Sequence, residues 1–72
     1  MIFTVGYRGT EHALKAKGES ARLARRIYNA SDDDGNVACH ADFFPGHPEL
    51  HTTMSLYRAL LAAGCDEVDD AQ

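Results

Sequence analysis

The apolar residues of this chain fall into short runs of differing period, each closed by a breaker, and that division confines it to a small mixed architecture. Phe3, Val5 and Tyr7 alternate with Ile2, Thr4, Gly6 and Arg8, which predicts a half-buried strand over residues 2–8. Ala21, Leu23, Ala24, Ile27 and Tyr28 recur at helical spacing. Val37, Cys39, Ala41 and Phe43 alternate against Ala38, His40, Asp42 and Phe44, predicting a strand over residues 37–44. Leu50, Met54, Tyr57, Leu60 and Leu61 return to the helical period. The breakers are a loop over residues 29–36, with Ser31, Asp32, Asp33, Asp34 and Gly35, and then Pro45-Gly46-His47-Pro48.

The remaining boundaries follow from local chemistry. Arg8-Gly9-Thr10-Glu11 reads as a turn into a second strand over residues 12–17, where Leu14 and Ala16 oppose Ala13, Lys15 and Lys17. A single helix over residues 11–29 competes, at about 1 kcal/mol for Gly18 in its interior; the hairpin is the preferred reading. Ser20 is placed to cap the first helix. The last helix begins between Pro48 and Thr53, with Pro48 suited to its first position or Thr52 or Thr53 capping a later start, and Gly64 closes it. Residues 65–72 form an acidic segment whose carboxylates follow a helix C-terminus, where the dipole disfavours them, so this segment is expected in solvent.

The expected fold is one α+β domain over residues 1–64, in the order β-β-α-β-α, with the acidic tail beyond it. The three strands make an antiparallel sheet in the order 2-1-3, reached by a right-handed crossover, with two helices on one face. Phe3, Val5, Tyr7, Leu14, Val37, Cys39 and Phe43 would meet Leu23, Ile27, Met54, Tyr57 and Leu61 in the core, leaving Thr4, Arg8, Lys15, Lys17, His40 and Asp42 on the wet face. With 72 residues the chain has room for one core only. Its 44% apolar and 25% charged residues suit a folded domain. Cys39 and Cys65 read as reduced thiols, and with no basic leader ahead of an apolar run the expectation is a cytoplasmic protein.

Charge is divided along the chain. Residues 1–30 carry six Lys/Arg against two Glu, and residues 31–72 carry nine Asp/Glu against Arg58, roughly +4 and −8. Such a distribution governs partner choice and encounter rate rather than fold.

Catalytic constellations are weak. There is no Gly-x-Ser-x-Gly elbow, P-loop or dinucleotide fingerprint. Cys39 lies on the core side of its strand, the position of an inert thiol rather than a nucleophile. Cys39, His40, Asp42, His47 and His51 are ligand types that zinc uses, but a strand sends Cys39 and His40 to opposite faces. His40, Asp42, His47 and His51 remain as a third reading, a metal-binding protein; no metal or other cofactor is assigned, and no enzyme is expected.

Two charge clusters carry the binding readings. Arg22, Arg25 and Arg26 share a helix flank near Lys15 and Lys17, a set suited to phosphates. Phe3-Thr4-Val5 together with Lys17-Gly18-Glu19-Ser20-Ala21-Arg22-Leu23-Ala24 resembles the later strands and second helix of double-stranded-RNA-binding domains. The match covers about a third of the chain, lacks the preceding helix, and has Ala21-Arg22 where that family has a basic pair. The acidic blocks are Asp32, Asp33 and Asp34 in the loop, and Asp66, Glu67, Asp69 and Asp70 near the end. Carboxylates so spread can offer a basic groove what phosphates offer it, and small phage-encoded anti-CRISPR proteins and DNA mimics share this size and charge class. The leading expectation is a non-catalytic inhibitor that covers the basic surface of a protein partner, such as a nucleic-acid-handling complex, with those seven carboxylates. The alternative is a small nucleic-acid-binding module that uses the basic helix.

Overall fold

The N-terminal alternation becomes a hairpin. A computed structural model describes residues 1–68, in which β1 (Ile2–Tyr7) and β2 (Thr10–Lys15) pair antiparallel, Phe3 opposite Leu14 and Tyr7 opposite Thr10. Only Arg8 and Gly9 are left for the loop, and both take positive φ, 55° and 77°. This is the type I′ geometry, whose twist matches that of the paired strands. The ends expected at 8 and 12 move accordingly: Arg8 leaves the first strand, and Thr10 and Glu11 join the second.

Ser20–Ala30 forms α1 and buries Ala24 and Ile27. Ser20 does not cap it, because the hydroxyl donates back to the Lys17 carbonyl at 2.6 Å and Glu19 holds the cap position without a side-chain bond. At the far end the Ser31 hydroxyl donates to the Tyr28 carbonyl at 2.8 Å.

The middle of the chain departs from expectation. The strand expected over residues 37–44 is reduced to β3 (Asn36–Ala38), which pairs not with β1 but with β4 (Thr53–Ser55), Val37 opposite Met54. After Cys39 the chain turns, the Phe43 and Phe44 amides both donating to the His40 carbonyl at 3.0 Å, and both rings are buried. Neighbouring residues of a strand face opposite ways, so two adjacent phenyl rings reach one core only through a turn. Pro48 opens a 3-10 turn (Pro48–Leu50), not the last helix. Because residues 53–55 are drawn into β4, α2 (Leu56–Ala62) starts later, capped by Ser55, whose hydroxyl accepts from the Arg58 amide at 3.3 Å.

Gly64 ends α2 as expected, at φ 105°. The Cys65 amide donates to the Leu60 carbonyl at 3.0 Å and the Gly64 amide to the Leu61 carbonyl at 3.1 Å, the paired bonds of a Schellman motif. That reversal returns the chain to the hairpin. Asp66–Glu67 forms β5 beside β2, Leu14 opposite Glu67 and Lys15 opposite Asp66, and the Val68 amide continues the ladder to the Ala13 carbonyl at 2.8 Å. The sheet order is therefore β1-β2-β5 rather than 2-1-3, its third strand comes from the segment expected in solvent, and the crossover is not made. Residues 69–72, with Asp69 and Asp70, lie outside the described residues.

The molecule is an α+β domain with two helices, a three-stranded antiparallel sheet and a separate two-stranded ladder. Leu14, Ile27, Val37 and Leu60 have fully buried side chains, one each from β2, α1, β3 and α2. α2 packs on β1, β2 and α1, and Tyr28 of α1 lies against Phe3, ring centroids 5.0 Å apart. Phe44, Leu56, Ala59 and Cys65 are core residues beyond the expected set, whereas Leu61 is 38% exposed and Tyr7, Leu23, Met54 and Tyr57 are half-buried.

Two substitutions test these turns. Arg8→Asn puts a residue that tolerates the left-handed region at this positive φ and should stabilise the domain by about 0.5–1 kcal/mol. Gly64→Ala should destabilise it by about 1 kcal/mol or more, since the added methyl group is strained at this φ. Urea unfolding followed by circular dichroism reads both.

Candidate functional site

The seven expected partner-binding carboxylates are not equivalent. Asp32 belongs to the loop's own architecture: one oxygen of its carboxylate accepts the amides of Asp34 and Asn36, both at 2.9 Å, and its carbonyl accepts the Gly35 amide at 3.1 Å. This Asx-type closure holds Asp33 and Asp34 on an ordered turn with exposed side chains and no cation partner among the described residues. Asp66 is exposed on β5, 3.8 Å from the Lys17 ammonium, a surface pair of little energetic weight.

Glu67 belongs to a cluster absent from the sequence-based candidates. The register places it diagonally across from His12 on the core side of the sheet. Its Oε2 accepts from His12 Nδ1, and its Oε1 accepts the Tyr57 hydroxyl at 2.7 Å. Tyr57 stacks on Tyr7 with centroids 4.5 Å apart and tilts against His12 at the same separation. The Arg8 guanidinium stands 5.3 Å from the Tyr7 centroid. Hydrogen bonds from His12 and then Tyr57 hold the Glu67 carboxyl below its ordinary pKa. The same carboxylate pushes the Tyr57 phenol up. A carboxylate-oriented imidazole is what a general base requires, yet among the described residues no hydroxyl or thiol reaches His12 Nε2. These contacts make the group a clasp between β2, α2 and β5.

The basic candidates are dispersed. Arg22, Arg25 and Arg26 are exposed on α1 and none meets a carboxylate among the described residues. Arg26 lies over the Phe43 ring at 5.3 Å. Lys15 lies on the outer face of the sheet, across from Asp66. A shallow depression near the start of α1 is lined by Gly18, Glu19 and Arg22, and the glutamate there opposes anion binding.

The third candidate group does not converge. His40 Nδ1 accepts the Asp42 amide at 3.2 Å, His47 Nδ1 donates to Glu49 at 3.1 Å, and His51 Nε2 donates to the Phe44 carbonyl at 2.9 Å. Each imidazole is engaged locally, and among the described residues no three ligand-type side chains gather as a cation would require. Cys39 and Cys65 are free, buried thiols, and burial pushes both pKa values up, away from nucleophilic thiolate.

No local pattern reveals the clasp, since Cys65, Asp66, Glu67 and Val68 run apolar, polar, polar, apolar rather than alternating. The segment is four residues long and sits inside an acidic run, which reads as solvated surface.

The lowered pKa of Glu67 has a pH signature. A carboxyl depressed by folding contributes stability above its unfolded value, near 4.5, and loses that contribution as pH falls through its lower folded value. Glu67→Gln should therefore lower stability at neutral pH and flatten the acid side of the stability profile, as read by urea midpoints between neutral pH and about pH 3. Comparison with protein-family models, with curated proteins and with solved structures returns no match, so the residues alone carry the functional reading.

Proposed function

We propose that the protein is a small non-catalytic binding domain that covers a basic surface on a protein partner, offering carboxylates in place of nucleic-acid phosphates. The observation that carries this reading is the Asp32-closed loop, which presents Asp33 and Asp34 to solvent in a defined conformation. Carboxylates already ordered before binding lose less conformational entropy on meeting Lys and Arg than those on a loose loop would. Asp66, loosely paired with Lys17, extends the surface, while Glu67 serves the clasp and is removed from the binding set. The size and charge class is that of phage-encoded anti-CRISPR-like inhibitors, and the action proposed is occupation of a nucleic-acid-handling complex in the cytoplasm. No described helix is long and apolar enough to cross a membrane.

One observation favours a second reading. Arg22 and Arg25 are exposed on α1 and unpaired among the described residues, as a phosphate-binding flank would require.

Capture from nuclease-treated lysate of the source cells, at low and moderate salt, separates the two. The inhibitor reading expects a stoichiometric protein partner whose retention falls with salt and drops about tenfold or more in Asp33→Asn/Asp34→Asn. Retention unchanged by that double substitution overturns it. Nucleic acid retained without protein, and lost in Arg22→Ala/Arg25→Ala, establishes the second reading instead.

A further inference from the structure

Among the described residues the sheet order leaves β1 with one bare edge. Met1 and Ala16 exchange backbone hydrogen bonds, 2.9 Å and 3.4 Å. By the alternation of an antiparallel ladder, Phe3, Val5 and Tyr7 then direct their amides and carbonyls to β2, and Ile2, Thr4 and Gly6 direct theirs outward. Natural sheets guard such an edge with Lys, Pro or a bulge. The six residues of β1, IFTVGY, contain no charge and no proline. Exposed apolar surface gathers at the same place: of the exposed large hydrophobic residues among those described, Met1 and Ile2 lie on or beside β1 and Tyr28 lies tilted against its Phe3, while Leu61 lies elsewhere.

We propose that the β1 edge is a self-association surface, pairing antiparallel with β1 of a second copy to give one continuous six-stranded sheet. The two-fold axis falls at Thr4, which pairs with its own equivalent, and Ile2 pairs with Gly6 in both directions. This register uses all three outward-facing residues of each copy. It also matches shape: Ile2 is 57% exposed, and the space where Gly6 would carry a Cβ is empty to 4 Å, so each isoleucine lies over the partner's glycine.

Charge complementarity points to the same register. On the outer face Lys15 stands beside Ile2 and Glu11 beside Gly6. Pairing Ile2 with Gly6 across the axis therefore sets Lys15 of each copy in one row with Glu11 of the other, about 14 Å apart at the backbone, with only a glycine and an isoleucine between them. Sliding by two residues one way puts Ala13 in that row, and sliding the other way puts Arg8 opposite Ile2, in the row of Lys15. A second copy is thus a better occupant than an arbitrary strand, because shape and charge both close on themselves under the two-fold axis. This inference is independent of the acidic-surface reading, since neither Asp33 nor Asp34 takes part.

Sedimentation equilibrium over a concentration series, joined to amide exchange by NMR, tests it. The wild-type chain should reach twice the monomer mass, and the amides of Ile2, Thr4 and Gly6 should exchange more slowly as concentration rises. Thr4→Lys sets two like charges at the axis on an exposed position and should weaken dimerisation about tenfold or more, with the circular dichroism of the fold retained. Glu11→Lys should weaken it as well. A wild-type chain that stays monomeric up to its solubility limit overturns the proposal, as does a dimer whose strength and Thr4 exchange are unchanged by Thr4→Lys.

Discussion

The chain reversal at Gly64 is the constraint on which the sheet depends. A residue at φ 105° allows the Leu60 and Leu61 carbonyls to be satisfied by the two amides that follow the helix, and the chain leaves α2 heading back to β2. Without that turn the hairpin would be a two-stranded ribbon, marginal by itself in water. With it, Cys65 enters the core, β5 takes the open edge of β2, and Glu67 arrives between His12 and Tyr57. A glycine, a buried thiol and a half-exposed carboxylate thus act in sequence, each positioning the next.

Charge counted along a sequence and charge available at a surface are different quantities, and this protein separates them. Asp32 spends its carboxylate on two backbone amides, and Glu67 spends its own on an imidazole and a phenol. Both residues shape the molecule. Asp33 and Asp34, beside Asp32 in the same run, are left to solvent, and Asp66 has only a long contact with Lys17. On the basic side, Arg26 covers the Phe43 ring, whereas Arg22 and Arg25 stand clear. Among the described residues the uncommitted surface charge is therefore smaller than a count along the sequence suggests.

The two edges of the sheet are treated differently. β5 covers one edge of β2 with two residues and is held by side-chain contacts to Glu67 as well as by the ladder. β1, three times as long, is uncharged and has its far edge bare among the described residues. An edge strand without guards is an invitation to pair, and exposed apolar residues, Ile2 and Tyr28, lie beside it.

Local patterns determined the hairpin, the first helix and the glycine that ends the second. Each rests on interactions within a few residues: alternation at Phe3, Val5 and Tyr7, a helical stripe through Ala24 and Ile27, and the left-handed preference of Gly9 and Gly64. The class of fold followed, because short elements of both periods in so small a chain pack in few ways. Tertiary structure alone decided which segment completes the sheet. Residues 37–44 carry a strand-like alternation and residues 65–68 carry none, yet Phe43 and Phe44 are both buried, which a continuing strand would not allow, whereas Glu67 meets His12 and Tyr57. The clasp and the loss of Glu67 from the acidic surface were illegible for the same reason. They depend on partners 55 and 10 residues away, and no local period records which distant side chain will satisfy a carboxylate.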